Sequence, residues 1–599
     1  MKIILADTEK KISSLKLDTT RKKKIILLNS YYTDKKKNIF SIYSIINKNK
    51  YFYRKLITKK LSQVGNLIYK KKKIRDYFKI ENFNFWECSV FKELILYDNN
   101  KMALFLKISV IENLIHNNKN LTILNYSDDI LFHQILKQFT NNKKILYLNL
   151  GVFKKNTNIV NYFPNILKFL LYITYIAIFH KIYKKKNSDQ SVIFFDIFTH
   201  LNFRLIKKKI FSSNYWNNLP SLFRKKKIRT LWQHIFYYQP ETKYPSQANA
   251  LAKKISNYES EHKILDSISF TDILIIIKNY FKLYKDTVLI KKFLKNFYSS
   301  KSLNIYKIFE SDFAKFFIGS RGVKNILYFQ SIKKNLNKNK KYNYGFYIYE
   351  NQNWEKILNF FWNKYNHKKL YAVPHNEIRF WDLRYFDLYP SKFYENYLKP
   401  KYFIINSKKS LLLHKKFRFK NVYHAESLRM INFKTKFTRK FRKRKNILVT
   451  LDLFNTTSHK LLNILNNSIN ELNNIGNIYI KDHPASNISK INKFSKKIIF
   501  TKKHIKEILP KIDIIIASNT TTSVYYAIYN QIPYATFLDS DLVNFSPLYP
   551  KNFKFFYDEK TFKNIINNNL LDYSFDNKYY KFSNTKIPQW NKLIDKITL

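Results

Sequence analysis

Two polar clusters, each following an apolar run, hold the residues best suited to chemistry. Asn477-Ile-Tyr-Ile-Lys-Asp-His-Pro484 places Lys481, Asp482, His483 and Pro484 at the end of a strand. Asp513-Ile-Ile-Ile-Ala-Ser518 opens into Asn519, Thr520, Thr521, Thr522 and Ser523, which head a helix. Hydroxyls and backbone N–H groups at a helix N-terminus attract negative charge. An imidazole with a lysine nearby can bind an anion and give a proton, which suits a diphosphate leaving group. Thr450, at the end of the apolar run Asn446–Asp452, lines the same rim. The chemistry on offer is anion binding. Either cluster alone also reads as an N-cap or a loop closure; both together, in one unit, favour a site.

The elements that would position them alternate. After the strand 446–452, Thr456 and Thr457 can cap a helix whose Leu462, Leu465, Ile469 and Leu472 recur at steps of three and four. Strands follow at 477–481, 498–500 and 513–518, with helical turns between, and 533–539 closes the unit. Alternating strands and helices predict a doubly wound parallel sheet with ligands at the carboxyl ends of its strands. Both clusters fall at such ends.

Lys-Asp-His-Pro484, then Ser518-Asn-Thr-Thr-Thr-Ser523, Ala527 and Ile532-Pro533, resembles the donor-binding half of bacterial GT-B glycosyltransferases. The nearest pattern is that of the surface-carbohydrate-biosynthesis family with its KxHP and Ser/Thr motifs. The resemblance implies two Rossmann-like lobes facing a cleft, with Lys481, His483, Pro484 and Ser518 to Ser523 on the nucleotide phosphates. It also implies no metal and no cofactor, the nucleotide-sugar being the substrate. Many such enzymes have Glu before the alanine to grip a ribose; here Tyr526 stands there.

The 599 residues suffice for two or three domains. One cysteine, Cys88, excludes a disulfide framework and a CxxC metal site. With only six glycines there is no Walker A or GxGxxG loop. The net charge of +68 suggests nucleic acid or anionic membrane as partner. The lysines are spread through nearly every segment among Asn, Ile, Tyr and Phe, as an AT-rich genome would give. Nucleic acid is therefore the lesser expectation, and attraction to an anionic membrane a by-product. The apolar stretch 163–179 is short for a spanning helix, and reads as a buried or interfacial one.

Strands are expected at 24–28, 121–126, 191–196, 230–236, 346–349, 370–374, 402–406 and 421–424, and helices at 101–116 and 407–417. The basic stretch 70–75 reads as a solvated loop, and 264–336 as a helical insertion in the first lobe. The expected division is a first, acceptor-side lobe over 1–430, a basic linker over 431–445, a donor-binding lobe over 446–580 and a tail helix over 581–599. The strand 346–349 is begun after Gly345, since glycine weakens strand interiors. A base for the acceptor hydroxyl is sought in the first lobe among His375, Glu350, Glu93 and Asp382. His375 is favoured, at a strand end and with an ordinary pKa near roughly 6.5. Arg379, Arg384, Glu426 and Arg429 are the cleft or acceptor residues.

The expected function is transfer of a sugar from a nucleotide-sugar to a growing surface glycan, lipopolysaccharide O-antigen or capsule. Its partners would be that donor and a glycan or lipid-linked acceptor. Its place would be the cytoplasm or the inner face of the cytoplasmic membrane. The alternatives are a CDP-polyol phosphotransferase of similar fold and a nucleic-acid-binding protein.

Overall fold

The computed structural model describes residues 2–14, 23–93, 100–116, 121–143, 145–151, 192–198, 205–206, 208–213, 215–237, 242–265, 268–299, 303–336, 341–374, 376, 378–385, 398–407, 421–435, 437–438, 442–483, 488, 498–549, 554–573 and 584–598. The apolar stretch 163–179, most of the helix expected over 407–417, His375 and Pro484 lie outside them. No described helix is long and apolar enough to cross a membrane.

Three parallel sheets organise the chain. The first holds β1 (Lys2–Ala6), β2 (Lys23–Leu27), β3 (Ile39–Ser41), β4 (Thr122–Asn125) and β5 (Leu146–Asn149). The middle sheet holds β6 (Val192–Ile197), β7 (Thr230–Ile235), β8 (Ser260–Ile264), β9 (Tyr344–Ile348), β10 (Lys369–Val373), β11 (Tyr402–Ile405) and β12 (Asn421–His424). The third holds β13 (Lys445–Thr450), β14 (Ile475–Lys481), β15 (Ile498–Phe500), β16 (Ile514–Ala517), β17 (Tyr534–Phe537) and β18 (Phe555–Phe556). The α/β class with parallel sheets is the expected one, and the first 430 residues hold two of the three parallel sheets.

Each sheet is wound alike. A first strand is laid down, two are added on one side, and the chain then crosses to the other. The order 3-2-1-4-5-6 leaves a crevice at the carboxyl ends of strands 1 and 4, where connections diverge and ligands bind. Those crevices lie between β1 and β4, β6 and β9, and β13 and β16.

Strands covered on both faces have no use for alternation. Ile514, Ile515, Ile516 and Ala517 of β16 are all buried, and helices pack on both sides of it. The stretch expected as an insertion forms three helices, α3 (Phe270–Ser299), α4 (Ile305–Phe317) and α5 (Ser320–Asn335). With α1 (Lys50–Val64), α2 (Lys101–His116) and α6 (Asn353–Lys364), they make one core with the inner faces of the first and middle sheets. These helices are a shared layer, because their apolar faces are what both sheets bury.

Several local expectations change. Gly345 lies inside β9: a Cβ there would sit 2.6 Å from Trp362 Cη2 and 2.7 Å from Leu370 Cδ1. Glycine is at this position for want of room, an effect a propensity argument does not contain. The basic stretch near 70 is the tip of a hairpin, Ile68–Tyr69 against Lys72–Lys73. α7 (Asn455–Ser468) is capped by neither threonine: its N-cap is Phe454, and Thr457 donates to Asp539 Oδ2 at 2.6 Å. In the basic stretch after Ile431, Phe433 stacks on Tyr526 at 4.1 Å between ring centres, against the third sheet's core. Tyr526 is therefore packing, which explains a ring where a ribose-binding carboxylate would point outward.

Candidate functional site

β13, β14 and β16 end side by side, and the site builds from those ends. Asp452 lies just past β13, fully buried at 0% exposure. Its carboxylate accepts from Ser518 Oγ at 2.8 Å, Thr520 N at 3.0 Å, Thr520 Oγ1 at 2.7 Å and Phe454 N at 3.2 Å. Four donors on one carboxylate offset much of its desolvation, since charge-assisted bonds are roughly twice as strong as neutral ones. Asp452 thereby fixes the Ser/Thr loop.

That arrangement redirects the expected hydroxyls. Ser518 and Thr520 point in to Asp452, Thr450 pairs with Ser523, and Thr521 bridges Ser523 at 2.7 Å. Asn519 clasps the segment after β17, donating to Val543 O and accepting from Phe545 N, both at 3.1 Å. These side chains are engaged with one another and with Asp452, and so fix the shape of the loop. Only Thr522 of the run is half-buried and makes no side-chain hydrogen bond among the described residues. The helix they head, α8 (Val524–Tyr529), is a turn and a half, so its dipole adds little.

Positive charge comes instead from the middle sheet. Arg379, in the segment after β10, donates to Thr520 O at 2.5 Å and so ties the two sheets at their carboxyl ends. Arg429, after β12, donates to Asn376 Oδ1 at 2.7 Å and lies close enough to His483 and Tyr526 to act on their protonation. Burial pushes the His483 imidazole below its ordinary value; Asp452 opposes this and Arg429 adds to it. His483 is thus neutral at pH 7 and can take a proton as an anion arrives. Lys481 is turned toward the loop after β15, donating to Lys502 O at 3.1 Å.

The expected base candidates separate. Glu93 is paired with Arg321 at 3.0 Å, and Asp382 is held in two bonds by Arg384, at 2.7 and 2.6 Å. The ion pairs leave both carboxylates engaged, and the same bonds occupy Arg384. Glu350 stands just past β9, at the middle sheet's crevice, with its Oε2 accepting from Gln352 at 2.6 Å. Behind it, Glu355 accepts from Glu350 N at 2.9 Å, and burial pushes the Glu355 carboxyl well above the carboxylate range. Glu426 is a cap: it accepts from Gln589 N and Trp590 N at the start of α9 (Pro588–Thr598), at 3.0 and 3.3 Å. That use ties the C-terminal helix to the middle sheet, while Glu426 still lines a cavity there with Val373, Asn406 and Arg429.

Two groups escaped the sequence reasoning. Asp452 carried a signal, a carboxylate immediately after a strand that neighbours a Ser/Thr run. Lys460 did not: it bridges Asp539 and Asp541 at 2.6 and 2.5 Å, pinning the end of β17 to α7.

No protein-family model and no curated protein matches the chain. Among solved structures the chain is similar to the apo form of the lipopolysaccharide outer core galactosyltransferase WaaB, at 9% identity, covering 68% of this chain and 98% of that one, with a TM-score of 0.34. It is similar to the spinosyn rhamnosyltransferase SpnG complexed with thymidine diphosphate, at 10% identity over 68% and 100% of the two chains, TM-score 0.35. MurG of Acinetobacter baumannii is similar at 9% identity over 68% and 99%, TM-score 0.34.

Proposed function

We propose that the protein is a glycosyltransferase that moves a sugar from a nucleotide-sugar to a growing surface glycan such as lipopolysaccharide O-antigen or capsule. The observation that supports this best is the placing of Arg379 on Thr520, and of Arg429 near His483, at the crevice between β13 and β16. Strands of this order bind nucleotides at that crevice. Two guanidinium groups and a neutral imidazole there can hold a diphosphate and stabilise the charge that departs with it. Lys481 and Thr522 stand at the same rim, and Pro484 follows His483 in sequence. The nucleotide-sugar is a substrate, and no cofactor enters the scheme.

The acceptor hydroxyl needs a base from the middle sheet. Glu350 follows β9 and His375 follows β10 in sequence, and these two are the candidates. Because the acceptor is a growing or lipid-linked glycan, the reaction belongs at the cytoplasmic face of the membrane.

A thermal-shift screen of the purified protein against UDP, GDP, CDP, CMP and dTDP tests the donor site. A nucleotide at about 100 times its Kd adds about 2.7 kcal/mol of stability. One nucleotide should stand out, and its shift should vanish in His483→Ala, which should also lose about 100-fold or more in kcat. Wild-type turnover in His483→Ala would refute the assignment. A response to CDP alone, with phospho-polyol transfer, would favour the polyol phosphotransferase.

A further inference from the structure

The helix α3 is the longest of the described elements, and its two faces differ sharply. Ile276, Tyr280, Leu283, Thr287, Ile290 and Leu294 are buried in the core shared by the first two sheets. The opposite face carries Leu274, Phe281 and Val288 at steps of seven, exposed by 55%, 46% and 51%. At a rise of 1.5 Å per residue, that apolar stripe runs about 21 Å along the helix. Lys278, Lys285 and Lys292 alternate with it at the same spacing, and Lys282, Lys291 and Lys295 flank it. No exposed residue of α3 is acidic: Asp272 is buried against Gln330 and Lys334, and Asp286 is half-buried. The basic hairpin lies alongside, with the Tyr69 ring 4.7 Å from that of Phe293, and its Ile68 is exposed by 66%.

We infer that this face of α3, with the hairpin tip, docks on an anionic phospholipid surface. Large exposed apolar side chains cost free energy in water and call for a covering. A second copy of the helix would cover them only by bringing the lysines of each copy against those of the other, which like-charge repulsion opposes. An anionic bilayer accepts both: the stripe enters the boundary of head groups and acyl chains, and the lysines meet lipid phosphates.

The high net charge of the chain attracts anionic vesicles by itself, so the deciding variant leaves charge alone. The full-length protein is floated with phosphatidylglycerol–phosphatidylcholine vesicles, and with pure phosphatidylcholine, at about 0.15 M salt, where the screening length is about 8 Å. Wild type should float with the mixed vesicles and not with the neutral ones. The Leu274→Ser, Phe281→Ser, Val288→Ser variant should partition about tenfold or more weakly, because its apolar insertion is gone. Its unfolding midpoint should hold, since the three side chains face solvent. Phe281→Ser alone should fall between, and Lys278→Gln, Lys285→Gln, Lys292→Gln should flatten the salt dependence. Equal flotation of the serine variant and wild type would overturn the inference. So would a dimer in solution that the serine variant splits, since the occupant would then be a second copy.

Discussion

Asp452 shows how one buried carboxylate can decide what a loop offers. Its partners are the hydroxyls that would otherwise look free for phosphate, so it governs the shape of the site without standing at the mouth. Asp452→Asn keeps the size but turns one acceptor into a donor facing Ser518 and Thr520. The expected cost is about 1–3 kcal/mol by chemical denaturation. If His483 and the arginines hold the donor, this variant should weaken nucleotide binding as well, through loss of the loop's fixed form. A second residue-scale prediction concerns His234 and His262 on β7 and β8, buried, stacked and 3.0 Å apart between ring nitrogens. Burial pushes His234 from 6.5 down to about 3, and His262 well below its ordinary value. Depressed histidine values mean that the unfolded chain binds protons the folded one refuses. Stability is then complete above pH 6.5 and declines as pH falls through the window down to about 3. Between pH 7.5 and 5 the wild type should lose more stability, by denaturation midpoint, than His234→Gln with His262→Gln; the difference between the two isolates the pair, since the buried Asp196 and Glu355 carboxyls, pushed up, act with the opposite sign.

Elements succeed or fail here on packing more than on propensity. β9 contains Gly345 because Trp362 and Leu370 occupy the space a side chain would need. Gly345→Ala should therefore destabilise by about 1–3 kcal/mol, as overpacked cores do, although alanine suits a strand no worse than glycine. The C-terminal helix α9 shows the reverse case, an element held at a distance by a few strong contacts. Trp590 is fully buried in the outer core of the middle sheet, and its indole donates to Glu426 O at 2.9 Å. Glu426→Ala should cost about 0.5–2 kcal/mol, as lost caps do, and Trp590→Ala about 3–5 kcal/mol. Limited proteolysis should then release α9 in Trp590→Ala well before the sheets unfold. A merely peripheral tail would be released equally in wild type.

At the scale of the molecule, the arrangement is three sheets wound in one order, with carboxyl ends brought to shared junctions. Arg379 spans from the middle sheet to Thr520, and Arg54 donates to Phe380 O at 3.1 Å. Tyr31 and Tyr43 stack on each other and donate to Leu542 O and Ser540 O, joining the first sheet to the third. By itself the sequence showed most strands of the middle and third sheets and their parallel kind, but not β1, β3, β5, β8 or β18, which are short or mixed in polarity. Runs such as Ile514–Ala517 can be satisfied only by cover on both faces, and that requirement is local. It likewise placed His483 and the Ser/Thr run at strand ends, since both follow directly from where the apolar runs stop. The tertiary structure alone decided which of these polar groups are engaged by one another. Ser518 and Thr520 are claimed by a carboxylate far off in sequence, Asp382 by an arginine two residues away, and Glu426 by the far end of the chain. A hydrogen bond is settled by the distance and angle between two groups, and distances across a fold are not written in the spacing of residues along it.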